Sequence, residues 1–134
     1  MCMHEWALAE AIIYTVTEIA EREGFREVLS VNVKVGELQQ VDLEIIKFAL
    51  TQLKRGRLEK TEFKVDMVKA KLRCRVCGEV WDFDKSRLDD EVAEAIHFVP
   101  EVAHSFIKCP KCGAQDFEFL EGRRMYIESV GGVR

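Results

Sequence analysis

Two short knuckles, Cys74-Arg75-Val76-Cys77-Gly78 and Cys109-Pro110-Lys111-Cys112-Gly113, hold four of the five cysteines in a spacing that metal ions select. In each knuckle a tight turn brings two thiolates to one side of the backbone. The glycine behind it permits the left-handed conformation that aims backbone N–H groups at the sulfurs. Two knuckles together make a tetrahedral cage. Zinc suits such a cage, because a d10 ion without geometric demands of its own accepts four thiolates at about 2.3 Å and leaves no position open for substrate or water. That makes the role structural. Rubredoxin-like iron takes the same ligands, and a thioredoxin-like dithiol needs only one of the pairs. Iron would colour the protein; zinc would not.

A second group of donors stands at the start of the chain. A histidine at the frayed end of a helix is ordinarily a solvated residue, and that is the plain reading of His4. An imidazole close behind a free amine and ionisable backbone amides can also wrap four nitrogens into a plane, a geometry favoured by Ni(II) and Cu(II). Zinc would not choose it. Cys2 lies outside both knuckles, a lone thiol that is inert, a soft extra donor or an oxidation liability. His104 reads as a packing or loop residue, and Trp6 and Phe98 as packing residues.

The elements that position these residues follow from periodicity. From Glu5 to Glu23, Trp6, Ala9, Ile12, Ile13, Val16, Ile19 and Ala20 recur at helical spacing, and Gly24 stands where a C-cap belongs. Leu29, Val31, Val33 and Val35 alternate with polar residues up to Gly36, a half-buried strand whose apolar face should cover the first helix. After the turn Glu37-Leu38-Gln39-Gln40, Asp42 can cap a second helix with Ile45, Ile46, Ala49, Leu50 and Leu53 on one stripe, closed near Gly56. A second strand puts Phe63, Val65 and Met67 on one face. The alternation then shifts phase to Val68, Ala70 and Leu72, which reads as a bulge or sharp twist before the first knuckle.

Thirty-one residues, 78 to 108, separate the knuckles, more than a plain zinc ribbon uses. Val80 to Phe83 can form a short strand. Ser86 can cap a helix over Arg87 to Ile96, whose acidic first turn with Asp89 and Asp90 suits the helix dipole. The acidic run Asp89 to Glu94 reads as a solvated face. Pro100 breaks any continuous helix between His97 and His104. Phe117 and Phe119 read as a ribbon strand and Gly122 as a joint. Met125, Ile127 and Ser129 form a last strand, placed beside the earlier two because a two-stranded sheet under two helices is marginal. The expected fold is therefore α+β: two helices on a small three-stranded sheet, with an inserted four-cysteine zinc-ribbon-like domain. The expected division is 1–71 plus 121–134 for the α/β domain and 72–120 for the insert, joined by short hinges near Leu72 and Leu120.

Composition bounds the function classes. At 134 residues the chain is one domain, or a small domain carrying a smaller insert, and part of it must lean on the metal. Its 20 basic and 24 acidic residues give a formal charge of -4, which works against a nucleic-acid partner. The alternative, a nucleic-acid-binding zinc ribbon, would use Arg73, Arg75, Lys108 and Lys111 beside the knuckles. No Gly-rich phosphate loop points to an enzyme. Metal-spaced cysteines, and Glu5 and Glu10 where a leader peptide would be apolar, point to a reducing, cytoplasmic compartment. No apolar run approaches membrane-spanning length.

Met3-His4-Glu5-Trp6, Val35-Gly36-Glu37-Leu38, both CxxC knuckles, Ile96-His97-Phe98 and Pro100-Glu101 occur in an order and spacing that resembles the HypA family, nickel metallochaperones of nickel–iron hydrogenase maturation. The likeness covers nearly the whole chain. It implies transported Ni(II) bound by Met3, His4 and Glu5, a structural Zn(II) in the cage, a partner nucleotidase, HypB, and delivery to the hydrogenase large-subunit precursor. It also implies Asp42 near the nickel motif and His97 as a donor from the zinc domain. The family motif begins at the initiator methionine, whereas Met1 and Cys2 come first here. A chain processed to Cys2-Met3-His4 offers the Cys2 amine, the Met3 and His4 amides and the His4 ring. A start at Met3 leaves a fourth place for Glu5, Asp42 or His97. A homodimer is left open.

Overall fold

The computed structural model describes residues 3–83 and 90–134. In chain order the elements are α1 (Met3–Glu23), β1 (Glu27–Gly36), α2 (Leu43–Leu53), β2 (Glu62–Val68), β3 (Lys71–Cys74), β4 (Val80–Asp82), α3 (Asp90–Phe98), β5 (Phe117–Glu121) and β6 (Met125–Val133). Short 3-10 turns cover Glu37–Gln39, Gly56–Leu58 and Pro100–Ser105. Two compact units result. One comprises Met1–Val35, Val41–Met67 and Met125–Arg134, the other Gly36–Gln40 and Val68–Arg124.

The first unit is built on a three-stranded sheet in the order β2-β1-β6. Ala9, Ile12, Val16 and Ala20 of α1, Ile46, Ala49 and Leu50 of α2, and Val28, Val31, Val33 and Val35 of β1 close one core with Val65. The amphipathic spacing of both helices is what allows this, since each has one apolar stripe to cover and the sheet has one apolar face. Asp42 caps α2 as its position suggested, its side chain accepting from Glu44 N at 2.9 Å and Ile45 N at 3.4 Å. β6 completes the sheet by pairing antiparallel with β1, from Glu27 opposite Val133 to Val35 opposite Met125. Thr61, buried ahead of β2, donates its hydroxyl to Val28 O at 2.6 Å.

The second unit has its own sheet, β4-β3-β5, with β3 in the centre and antiparallel to both neighbours. Among the described residues its core comprises Leu38, Ala70, Leu72, Phe83, Ile96, Ala103 and Phe117. The segment Glu37–Gln39, far away in sequence, is tied into it. Leu38 N donates to Gly122 O and Gly36 N to Arg124 O, both at 2.9 Å, while the Glu37 carboxylate accepts from Ala70 N at 2.9 Å. Gly122 has φ +88, and a Cβ on it would overlap the Ala70 Cα; one on Gly36 would overlap the Gly122 carbonyl. Gly122→Ala is therefore expected to destabilise this unit by about 2 kcal/mol or more, through left-handed strain and overpacking together. Denaturant unfolding of the metal-loaded protein checks it; an unchanged midpoint would refute the close-packing argument.

Several expectations are corrected. Alternation alone puts Leu29 on the buried face of β1, yet it is 43% exposed and Val28 is buried in its place. The reason is a bulge: Val28 and Ser30 face the adjacent residues Gly132 and Gly131, so Leu29 is the extra residue and the alternation resets across it. Met67, grouped with Phe63 and Val65, is 48% exposed. The phase shift after it is no bulge within one strand but the break between β2 and β3, which belong to different sheets. β6 runs on through Gly131 and Gly132 to Val133, well past Ser129. α3 continues to Phe98 instead of stopping at Ile96, and Phe98, expected to pack, is 68% exposed. Pro100 opens a separate 3-10 turn, as its missing N–H dictates. The expected Ser86 cap, Arg87 start and Asp89 lie outside the described residues.

Candidate metal centre

β3 ends at Cys74, so the first knuckle hangs from the end of the central strand; the second stands just ahead of β5, where Phe117 is paired with Cys74. Because β3 pairs with β5, the two knuckles meet although Cys77 and Cys109 are 32 positions apart in the chain. Their internal hydrogen bonding is duplicated. Cys74 Sγ accepts from Val76 N and Cys77 N, both at 3.4 Å, and Cys109 Sγ accepts from Lys111 N at 3.4 Å and Cys112 N at 3.5 Å. Gly78 N reaches Cys74 O at 3.0 Å and Gly113 N reaches Cys109 O at 2.9 Å. Both glycines are left-handed, φ +83 and +77, which is what turns the N–H groups onto the sulfurs.

All four Sγ atoms lie within 4.8 Å of one another, with Cys74 to Cys112 at 3.5 Å and Cys77 to Cys109 at 3.6 Å. These are thiols, well beyond the roughly 2.05 Å of a disulfide. A tetrahedral dication with metal–sulfur bonds of about 2.3 Å requires sulfurs about 3.8 Å apart, so the cage needs only small adjustments to accept one. Around it, Arg75 is paired to Asp116 at 3.1 Å and Arg73 to Glu118 at 3.1 Å. Two of the four basic residues considered for a nucleic-acid surface are thus engaged by acids. His104 bonds Gln115 O through Nδ1 at 2.7 Å and stacks on Phe117 at 4.3 Å, fixing the second knuckle's flank.

Without a cation the four sulfurs cannot all be ionised. The backbone N–H of Cys77, helped by that of Val76, holds the Cys74 thiol down to about 7. Against a hydrogen bond from Ala114 that favours its thiolate, burial and the neighbouring cysteines push Cys112 up to about 12. Against burial, the N–H groups of Cys112 and Lys111 lower Cys109; against a bond from Glu79, burial and Cys109 raise Cys77. A dication that takes four thiolates must displace the protons held on Cys77 and Cys112 at neutral pH, so affinity rises with pH. The dependence steepens below about 7, where Cys74 must also lose its proton. Titration calorimetry in buffers of different ionisation enthalpy counts these protons; none released at neutral pH would contradict this assignment.

At the start of α1, His4 is exposed and Glu5 is buried, 8% accessible. The Glu5 Oε2 accepts from Asp42 N at 3.0 Å. The sequence grouped Glu5 and Asp42 only by family likeness; the fold joins them, and no local signal linked two positions 37 residues apart. Trp6 is half-buried, edge-on to Phe48 with centroids 6.2 Å apart. His97 belongs to the last turn of α3, in the second unit. Its side chain and that of Met3 lie outside the described residues, as does Cys2. Among the described residues, no helix is long and apolar enough to cross a membrane.

A family model described as "Hydrogenase/urease nickel incorporation, metallochaperone, hypA" matches residues 3–131. The hydrogenase maturation factor HypA of Pyrococcus furiosus is 47% identical over 131 residues, covering 96% of this chain and 94% of that protein. The factor of the same name from Thermococcus kodakarensis is 45% identical with the same coverage. The solution structure of the Ni metallochaperone HypA from Helicobacter pylori matches with a TM-score of 0.64 at 18% identity over 98% of both chains, a likeness of fold.

Proposed function

Since the chain belongs to the HypA family of hydrogenase maturation factors and nickel metallochaperones, we propose that it binds Ni(II) at the start of α1 and hands it on for hydrogenase maturation. The immediate partners are the nucleotidase HypB and the precursor of a nickel–iron hydrogenase large subunit. The observation that carries this reading is the anchoring of the first turn of α1: the Glu5 carboxylate is held by the Asp42 backbone while His4, one residue earlier, is exposed. An exposed imidazole on a fixed turn can complete a planar nitrogen site with backbone nitrogens and still surrender its ion to a partner. Cargo must leave, so donors at an accessible helix end suit it better than a closed cage.

The four cysteines are assigned Zn(II). The two donor sets differ as the two roles require: four soft thiolates saturate zinc, whereas amine, amide and imidazole nitrogens suit nickel. A saturated zinc has no position for substrate, which supports a non-catalytic protein working in the cytoplasm, where thiols stay reduced. His97 is proposed as a further nickel donor and Asp42 as a nearby acid, both on family likeness.

Protein purified without added metal should contain one zinc per chain and then take up one Ni(II) without losing it. Transfer of that nickel to HypB or to the hydrogenase precursor completes the test. Nickel that displaces zinc, or no uptake beyond zinc, would count against the proposal. His97→Ala should weaken the nickel isotherm while zinc stays; an unchanged isotherm, with and without HypB, removes His97 from the donor set.

A further inference from the structure

Charge is distributed unevenly along the first unit. Between Lys47 and Lys64 there are six basic residues, Lys47, Lys54, Arg55, Arg57, Lys60 and Lys64, against Glu59 and Glu62, in a chain whose formal charge is -4. This stretch comprises most of α2, the 3-10 turn Gly56–Leu58 and the start of β2. Part of the charge is engaged: Lys47 lies 3.4 Å from Glu44, and Lys54 donates to Thr61 O at 2.9 Å. Among the described residues, neither the Arg55 nor the Arg57 guanidinium has an acidic partner. Both side chains are exposed.

The same two arginines border a groove of about 830 Å³ between α1 and the end of α2. Its floor is apolar, formed by Ile13 and Tyr14 from α1 and by Leu53 and Leu58 across from them. Tyr14 is 66% exposed there, its hydroxyl bonded to Glu18 on the same helix. Glu10 and Glu21 mark the two ends of the α1 wall. They lie eleven positions apart on the helix, about 16 Å at about 1.5 Å per residue, or about three turns.

We infer that this groove is the docking site for an acidic amphipathic helix of a protein partner in nickel transfer, an inference that rests on the function proposed above. A helix of about three turns fits the groove's length, with apolar residues at i, i+3 and i+7 against Ile13, Tyr14, Leu53 and Leu58. Carboxylates along one flank meet Arg55 and Arg57, whose planar forks pair with them bidentately. A nucleic-acid backbone is the poorer occupant, because the floor is apolar and Glu10 and Glu21 on the opposite wall repel phosphate. None of these residues belongs to the zinc cage or the His4 site. Docking is thus separable from metal binding.

Hydrogen exchange of the full, zinc-loaded chain tests this, with purified HypB and purified hydrogenase large-subunit precursor as separate probes. At least one of them should protect residues 10–21 and 53–58. The double variant Arg55→Glu, Arg57→Glu should bind that partner roughly tenfold or more weakly and lose much of the salt dependence, with zinc and nickel content unchanged. A partner that binds wild type and variant alike without protecting those segments overturns the docking site and leaves the metallochaperone reading standing. If neither probe binds the wild type, the partner assignment fails and this inference fails with it. Equal protection by a random-sequence DNA duplex at physiological salt would overturn the protein-helix occupant in favour of a phosphate-binding face.

Discussion

Cys109→Ser is expected to empty the cage and unfold the unit Val68–Arg124 while α1 and α2 keep their structure. Cys109 is buried, its sulfur accepts two backbone N–H groups, and it lies 3.6 Å from Cys77. Serine at that position offers a harder, weakly acidic oxygen to a site built for thiolates. The loss should exceed the 10- to 100-fold cost of an outer-shell change. The structural consequence follows from the small second core, seven buried apolar residues among the described ones, and from the short strands β3 and β4, of four and three residues. Structural zinc is worth about 10–16 kcal/mol of apparent binding energy at neutral pH, comparable to the whole stability of a small domain. Exchange protection in β3, β4 and β5 should collapse, and a strong chelator should do the same to the wild type. A Cys109→Ser protein that kept one zinc per chain and full protection there would show that the cage is not what holds this unit together.

His4→Ala should abolish nickel binding while leaving zinc content and folding unchanged. Every arrangement considered for the nickel site, with Met1 retained or not, uses the His4 ring as a donor. Its removal takes away the one imidazole that every arrangement shares and leaves a corner of the plane open. The nickel complex of the wild type should show the yellow d–d band of a planar low-spin ion, and the variant should lack it. Because His4 is exposed at the first turn of α1, its replacement should move the melting curve little. Glu5→Gln is the companion variant: an amide oxygen can still accept from Asp42 N, so the first turn stays anchored. Nickel binding that survives this change marks Glu5 as a positioning residue, whereas loss of binding marks its charge as part of the donor set. Nickel of the same stoichiometry and spectrum in His4→Ala would remove the N-terminal site altogether.

Much of this molecule is decided by short-range interactions, and those parts were legible. A knuckle closes within five residues: Gly78 N to Cys74 O and Gly113 N to Cys109 O are local bonds, and the left-handed glycine that makes them possible is written beside the cysteines. The Asp42 cap reaches two and three residues ahead, and the stripes of α1 and α2 repeat at the helical period, so both could be placed from residue types alone. Other features depend on partners that no local pattern names. Whether Val28 or Leu29 faces the core was settled by the unequal pairing of β1 with Gly131 and Gly132, more than a hundred residues on. The phase change after Met67 was visible, but only the two sheets show that it separates two cores instead of bending one strand. Gly36 and Glu37 looked like an ordinary turn. Their neighbours Gly122 and Ala70 make them a close-packed crossing, where any side chain would collide and where one carboxylate satisfies a distant N–H. The fixed first turn beside His4 likewise depends on Glu5 meeting the Asp42 backbone, a contact created when α1 and α2 come to share one core, and one that neither helix encodes by itself.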